Sequence, residues 1–182
     1  MKEEQRTRIS KRLSRHLRHD PAAIGLTLDP AGWAEVDTLL ACLARHGAPV
    51  TRAELAEVVT HNAKRRFAFD DTGTRIRASQ GHSVAVDLEL TATTPPAVLY
   101  HGTATRFAAA IFAEGLRPMR RHAVHLSATV DTAVAVGTRH GKPLVLRVDA
   151  AAMAAAGHEF QVSANGVWLT ASVPPEFLTT AG

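Results

Sequence analysis

Two kinds of residue in this chain stand out for the chemistry they could do: arginines beside another cation, and histidines closing apolar runs. Arg18-His19, Lys64-Arg65-Arg66 and Arg120-Arg121 are of the first kind; His101-Gly102-Thr103 and His125-Leu126-Ser127 are of the second. Arginine presents a planar fork of donors that matches phosphate oxygens, and each such charge-assisted bond contributes about 1.5–3 kcal/mol. A neighbouring histidine can bind the same phosphate or move a proton. Taken singly, each basic pair reads more simply as exposed surface, and a cation at a helix C-terminus also suits the macrodipole.

His101-Gly102-Thr103 is the sharper feature. An imidazole, a residue without a side chain that admits close backbone approach, and a hydroxyl can together hold a ribose and the amide of a nicotinamide. Two other signals carry less. Gly137-Thr138-Arg139-His140-Gly141-Lys142-Pro143 imitates a phosphate loop but has three residues between its glycines where such a loop has four. It also has Pro143 where a Mg²⁺-binding Ser or Thr belongs. His122 and His125 have no carboxylate or cysteine nearby to complete a metal set, and residues three apart in a strand face opposite sides. The expectation is that no metal is bound.

These residues sit in a chain of 182 residues, 46% hydrophobic and 21% charged, enough to bury a core. Its net charge of +4 leans toward anionic partners. The lean is concentrated: Lys2, Arg6, Arg8, Lys11, Arg12, Arg15 and Arg18 are opposed before Asp20 only by Glu3 and Glu4. Together with the clusters at Lys64–Arg66 and Arg117–Arg121 they suggest a shared polyanion. Cys42 is the single cysteine, which excludes an internal disulfide framework, and it reads as a small core residue on a helix. No run approaches the roughly 20 apolar residues of a membrane span, so no membrane partner is expected, and the protein is read as intracellular.

The elements that would position the site fall into two groups. Ile9, Leu13 and Leu17 form a helical stripe from Arg6 to Leu17, ended by Asp20-Pro21. Gly32–Val36 reads as a strand and Asp37 as the cap of a helix to about Arg45. Thr51-Arg52-Ala53-Glu54 is a capping box opening a helix to about Thr60. Arg66–Phe69 and Arg75–Ala78 read as strands joined by the Asp71-Thr72-Gly73 turn. Helices followed by a hairpin suggest a small winged-helix domain. Residues 91–97, with Pro95-Pro96, read as a linker. Beyond it, Val98–His101 is a strand running into a turn at Gly102, and Phe107–Glu114 is a helix. Val124–Ser127 is a strand, Thr129–Val136 a helix, Leu144–Val148 a strand, Ala150–Ala156 a short helix and Val167–Thr170 a strand. Several strands with short helices suggest an α+β sandwich.

Taken in order, the runs Leu13–His19, Lys64–Phe67, Gly81-His82-Ser83, Leu99–Thr103, Gly115–Arg121, Val124–Ser127, Val148-Asp149-Ala150 and Asn165–Thr170 resemble the RNA 2′-phosphotransferase family of tRNA splicing, over nearly the whole chain. The resemblance implies an α+β protein. Its N-terminal winged-helix lobe, residues 1–90, would bind RNA phosphate, and its C-terminal ADP-ribosyltransferase-like β-sandwich lobe, residues 98–182, would bind NAD⁺. It implies that Arg18, His19, Arg66 and Arg121 handle the phosphate and that His101, Gly102, Thr103, His125 and Ser127 hold NAD⁺. Ala123 stands where the family often has histidine. Arg66 is chosen because it precedes Phe67 and Arg121 for its spacing to His125; Arg65 and Arg120 stay open at those two places.

The activity so implied needs neither metal nor ATP. The RNA 2′-phosphate attacks the nicotinamide-bearing ribose carbon, nicotinamide leaves, and the neighbouring ribose hydroxyl then attacks phosphorus. The products would be 2′-hydroxyl RNA and ADP-ribose 1″,2″-cyclic phosphate. The partner would be RNA bearing a 2′-phosphate, with the chain acting as a monomer in the cytoplasm. Two alternatives stand beside this: an ADP-ribosyltransferase that stops after the first step on nucleic-acid ends, and a winged-helix nucleic-acid-binding module without catalysis.

Overall fold

The apolar stripe of the N-terminus becomes α1, Glu3–Arg18, with Ile9, Leu13 and Leu17 buried on one side. Glu3 and Glu4 lie in its first turn and Arg15, His16 and Arg18 in its last, the placement the helix dipole favours. The computed structural model describes residues 1–181. The chain divides into two units, Met1–Glu89 and Leu90–Gly182.

In the first unit α1 is followed by β1 (Ala34–Glu35), α2 (Val36–Arg45), α3 (Arg52–Thr60), β2 (Phe67–Phe69) and β3 (Arg75–Ala78). The strands form an antiparallel sheet in the order β1-β3-β2, with Phe67 opposite Ala78 and Ala34 opposite Ile76. Leu13, Leu17, Leu39, Leu43, Leu55, Val58, Phe67 and Ile76 make its core, which Cys42 also joins. The capping box is present: Thr51 Oγ1 accepts from Glu54 N at 3.2 Å, and Thr51 N donates to Glu54 Oε2 at 2.8 Å.

The start of α2 differs from expectation. Asp37 does not cap it; the helix begins at Val36 behind an extended Glu35, and Asp37 pairs instead with Arg52 at 2.9 Å. The strand expected over Gly32–Val36 shrinks to Ala34–Glu35 because Asp29 organises the residues before it. Asp29 Oδ1 accepts from Ala31 N and Trp33 N at 2.9 and 2.8 Å, bending that stretch into a turn.

The second unit holds β4 (Val98–Ala104), α4 (Ala108–Glu114), β5 (Val124–Leu126), α5 (Val130–Gly137), β6 (Pro143–Asp149), α6 (Ala150–Ala155), β7 (Gln161–Val162), β8 (Trp168–Thr170) and β9 (Leu178–Thr180). Two antiparallel sheets result, β4-β6-β9 and β5-β8-β7. They are joined where Tyr100 and Ser127 exchange main-chain hydrogen bonds of 2.9 and 2.7 Å. Leu99, Leu126, Leu146, Val148, Met153 and Phe160 form the core. The protein is thus α+β in class.

Two expectations change here. β4 does not turn at Gly102; it continues to Ala104 because β6 pairs with it along its whole length, from Val98 opposite Asp149 to Ala104 opposite Pro143. The stretch 91–97 is partly docked on the second unit: Thr93 N donates to the Phe160 carbonyl at 2.7 Å, and Gln161 Nε2 to the Leu90 carbonyl at 2.8 Å.

Candidate functional site

Three of the four expected phosphate-handling residues come together in the first unit. Arg18 is the last residue of α1 and is only 9% exposed. Its carbonyl accepts from Ser83 N at 2.9 Å and Val84 N at 3.3 Å, which holds the helix end against the 81–84 segment. Its guanidinium lies over the Phe67 ring, 5.9 Å from the centroid, and Nη2 donates to the Arg66 carbonyl at 3.4 Å. Arg66 follows a tight turn in which Asn62 Oδ1 accepts from Lys64 N at 3.1 Å and from Arg66 Nη1 at 3.3 Å. His19 is exposed, with Nδ1 3.0 Å from Ser83 Oγ.

Arg65, the alternative to Arg66, is built differently. It is exposed, its φ of 40° is left-handed, and its carbonyl is taken by the Ser79 hydroxyl at 2.7 Å. The tandem is therefore split: Arg66 is tied to Arg18, and Arg65 turns the chain. Phe67 supplies an apolar face under the Arg18 guanidinium, an arrangement arginine favours over lysine.

The second unit gathers the histidines. His101 Nδ1 lies 3.0 Å from the His125 carbonyl. A carbonyl only accepts, so Nδ1 carries the proton and Nε2 is left as the acceptor of the neutral ring. Burial pushes the His101 pKa below its ordinary 6.5, the His125 carbonyl opposes this, and the charges of His140 and Arg121 lower it further. The Arg121 charge is therefore felt at His101. Arg121 itself is exposed over the residue as a whole, yet burial around its guanidinium lowers its pKa. It stays a cation all the same, since a guanidinium does not lose its proton in proteins. Arg120 is exposed beside it.

Strand alternation puts Leu99, His101 and Thr103 on one face of β4 and Tyr100, Gly102 and Ala104 on the other. Helix α5 lies on the Gly102 face. A Cβ on Gly102 would sit 1.8 Å from the Ala133 carbonyl oxygen, and one on Gly137 would sit 2.6 Å from the Thr103 carbonyl oxygen. The missing side chain at Gly102 thus serves the approach of a helix backbone, where the sequence suggested the approach of a ligand. Ser127 contributes its main chain to the junction of the two sheets.

Sequence reasoning gave no role to Ser83, Asn62, Phe67 or His140. Their signals were faint: Ser83 lies within the Gly81-His82-Ser83 run, Phe67 within Lys64–Phe67, and Asn62 merely four residues before Arg66. Among the described residues no group of His, Cys, Asp or Glu side chains is arranged to hold a metal ion, and no helix is long and apolar enough to cross a membrane.

Residues 4–172 match the model of a family described as RNA 2′-phosphotransferase, Tpt1/KptA family. The chain is 60% identical over 178 residues to a probable RNA 2′-phosphotransferase of Streptomyces coelicolor, covering 98% of this chain and 97% of the relative. It is 57% identical over 189 residues to one of Streptomyces griseus, covering both chains completely. One of Trichormus variabilis is 52% identical over 178 residues, 98% of each chain.

Proposed function

This chain belongs to the RNA 2′-phosphotransferase, Tpt1/KptA family, and from that premise we propose that it removes an internal 2′-phosphate from RNA, with NAD⁺ as the acceptor substrate. The carrying observation is the cluster in the first unit. Arg18 and Arg66, 48 positions apart, are hydrogen-bonded to one another, and His19 sits on Ser83 at the same helix end. Fixed cations and an imidazole gathered in one place suit a phosphate dianion. The order α1-β1-α2-α3-β2-β3, with β1 and β2 flanking β3, supports a winged-helix reading of this unit. The two small sheets of the second support the ADP-ribosyltransferase-like reading.

The residues of the second unit fit NAD⁺ by their chemistry. Neutral His101 offers Nε2 as an acceptor for a ribose hydroxyl, Thr103 lies on the same face of β4, and His125 fixes the His101 tautomer. Ser127 closes the strand junction, and Gly102 acts by seating α5. NAD⁺, when bound, supplies the electrophilic ribose carbon and the hydroxyl that receives the phosphate, so nicotinamide and ADP-ribose 1″,2″-cyclic phosphate are the final products. Arg18, His19, Arg66 and Arg121 act on one 2′-phosphate: the arginines orient it as nucleophile and then stabilise the charge that builds on its nonbridging oxygens. His19 binds the phosphate or protonates the departing RNA 2′-oxygen. One chain carries both residue sets, which fits a monomer acting on cytoplasmic RNA.

The test is incubation with NAD⁺ and an oligonucleotide carrying one internal 2′-phosphate. Transfer of the phosphate to ADP-ribose, undiminished by EDTA, is the expected result; release of inorganic phosphate without NAD⁺ refutes it.

A further inference from the structure

A groove of about 420 Å³ opens in the first unit beside α1, the end of α3 and the turn that follows it. Thr7, Ser10, Lys11 and Ser14 line it from α1, and Lys64 and Arg66 from the turn. Thr7, Lys11, Ser14 and Arg18 recur at four- and three-residue steps, so one stripe of α1 runs from the groove to Arg18. From Thr7 to Ser14 that stripe covers about 10 Å of helix axis at 1.5 Å per residue. Thr7 and Lys11 are exposed and Ser14 is half-buried, so this stripe presents hydroxyls and an ammonium group to the open groove. Of the charged groups lining the groove, Lys11, Lys64 and Arg66 are opposed by Glu3, which is itself engaged by Arg6. The lining holds no Phe, Tyr or Trp, and His61 is the one ring in it on which a base could stack.

We propose that this groove holds the phosphodiester backbone of the RNA strand adjoining the 2′-phosphorylated nucleotide. Hydroxyls and cations spaced along a helix match successive phosphates, and Arg66 belongs both to the groove and to the phosphate-handling cluster. Contacts to backbone charge, with at most one base stacked on His61, carry little sequence preference. The inference rests on the phosphotransferase reading for the identity of the strand, but binding in the groove does not depend on catalysis.

The experiment measures binding of a short fluorescent single-stranded RNA lacking any 2′-phosphate, across a range of salt. The Lys11→Gln/Lys64→Gln double variant should bind about tenfold more weakly at low salt. Its slope of log affinity against log salt should be shallower by about 1.4, since each phosphate no longer neutralised removes about 0.7 on a single strand. Glu3→Gln, which removes the opposing carboxylate, should bind more tightly. Wild-type affinity and slope in the double variant, no tightening in Glu3→Gln, or equal binding of polyglutamate each overturn the proposal. Turnover is read separately on a 2′-phosphorylated dinucleotide too short to fill the groove, which the double variant should process at the wild-type rate. A slowed rate on this substrate also counts against a groove confined to the flanking strand. Absence of turnover by wild type on any 2′-phosphorylated RNA contradicts the phosphotransferase reading, a failure distinct from loss of binding.

Discussion

In the first unit two of the three candidate residues, Arg18 and Arg66, are permanent cations held by hydrogen bonds to a carbonyl and to the Asn62 side chain; in the second the central group is an imidazole that burial keeps neutral. Arg18 is held through its own carbonyl and through that of Arg66, and a guanidinium keeps its charge in proteins. His101 is held by the His125 carbonyl, with burial and the charge of Arg121 disfavouring its protonation. The difference teaches where charge is wanted. A phosphate dianion needs fixed positive charge, whereas a ribose beside a cationic nicotinamide needs neutral acceptors and hydroxyls, because an added positive charge there would repel the substrate. Arg121 belongs to the second unit, where its positive charge is felt at His101 and helps keep that ring neutral.

The comparison breaks most sharply at the arginines. Arg66→Ala or Arg121→Ala should slow the attack on phosphorus by about 10²–10³, by analogy with the loss of an oxyanion donor. The first attack should suffer less, because the phosphate is then the nucleophile and nicotinamide departs readily. RNA carrying a 2′-phospho-ADP-ribose adduct should therefore accumulate in these variants; unreacted substrate with no adduct at any time contradicts the division. The next effect is on stability. Gly102→Ala forces a methyl against the Ala133 carbonyl and should destabilise the protein by about 1–3 kcal/mol, an overpacking cost read by chemical denaturation. Unchanged stability would mean that α5 does not rest on β4.

Ser83→Ala sharpens the comparison on the other side. It removes a hydrogen bond of about 0.5–1.5 kcal/mol from His19, so turnover should fall by about tenfold or less while NAD⁺ KM stays put. A change in the pH profile of turnover, absent from Ser79→Ala, separates positioning of His19 from general loosening. The smallest effect is the pH dependence of stability from His101. Its folded pKa lies below the ordinary 6.5, so below that pH the unfolded chain takes up a proton that the folded chain resists. Stability should therefore decline as pH falls below about 6.5, and His101→Gln should flatten that part of the curve. An identical curve for the variant would show that His101 is not held neutral.

The fold was legible where its signals are local. The α1 stripe, the capping box of α3 and the hairpin of β2 and β3 depend on residues close in sequence, and each forms much as the pattern suggests. What escaped depends on distant partners. β7 and β9 are two and three residues long and exist through pairing with β8 and β6. Gly102 looked like a turn because its helix partner lies 31 positions away at Ala133. The ordered motifs pointed to the family and its candidate residues, but the groups that hold them were hidden. Ser83 meets His19 across 64 positions, and periodicity says nothing about such a contact.

The central claim is that one chain transfers a 2′-phosphate from RNA to NAD⁺-derived ADP-ribose, using fixed cations for the phosphate and a neutral imidazole for the ribose. Its most direct test follows both products when purified protein meets NAD⁺ and an RNA labelled at a single internal 2′-phosphate, with EDTA present. The label should leave the RNA as ADP-ribose 1″,2″-cyclic phosphate, with one nicotinamide released for each 2′-hydroxyl formed. Label retained on the RNA as a lasting 2′-phospho-ADP-ribose adduct, label freed as inorganic phosphate, or no consumption of NAD⁺ would contradict it.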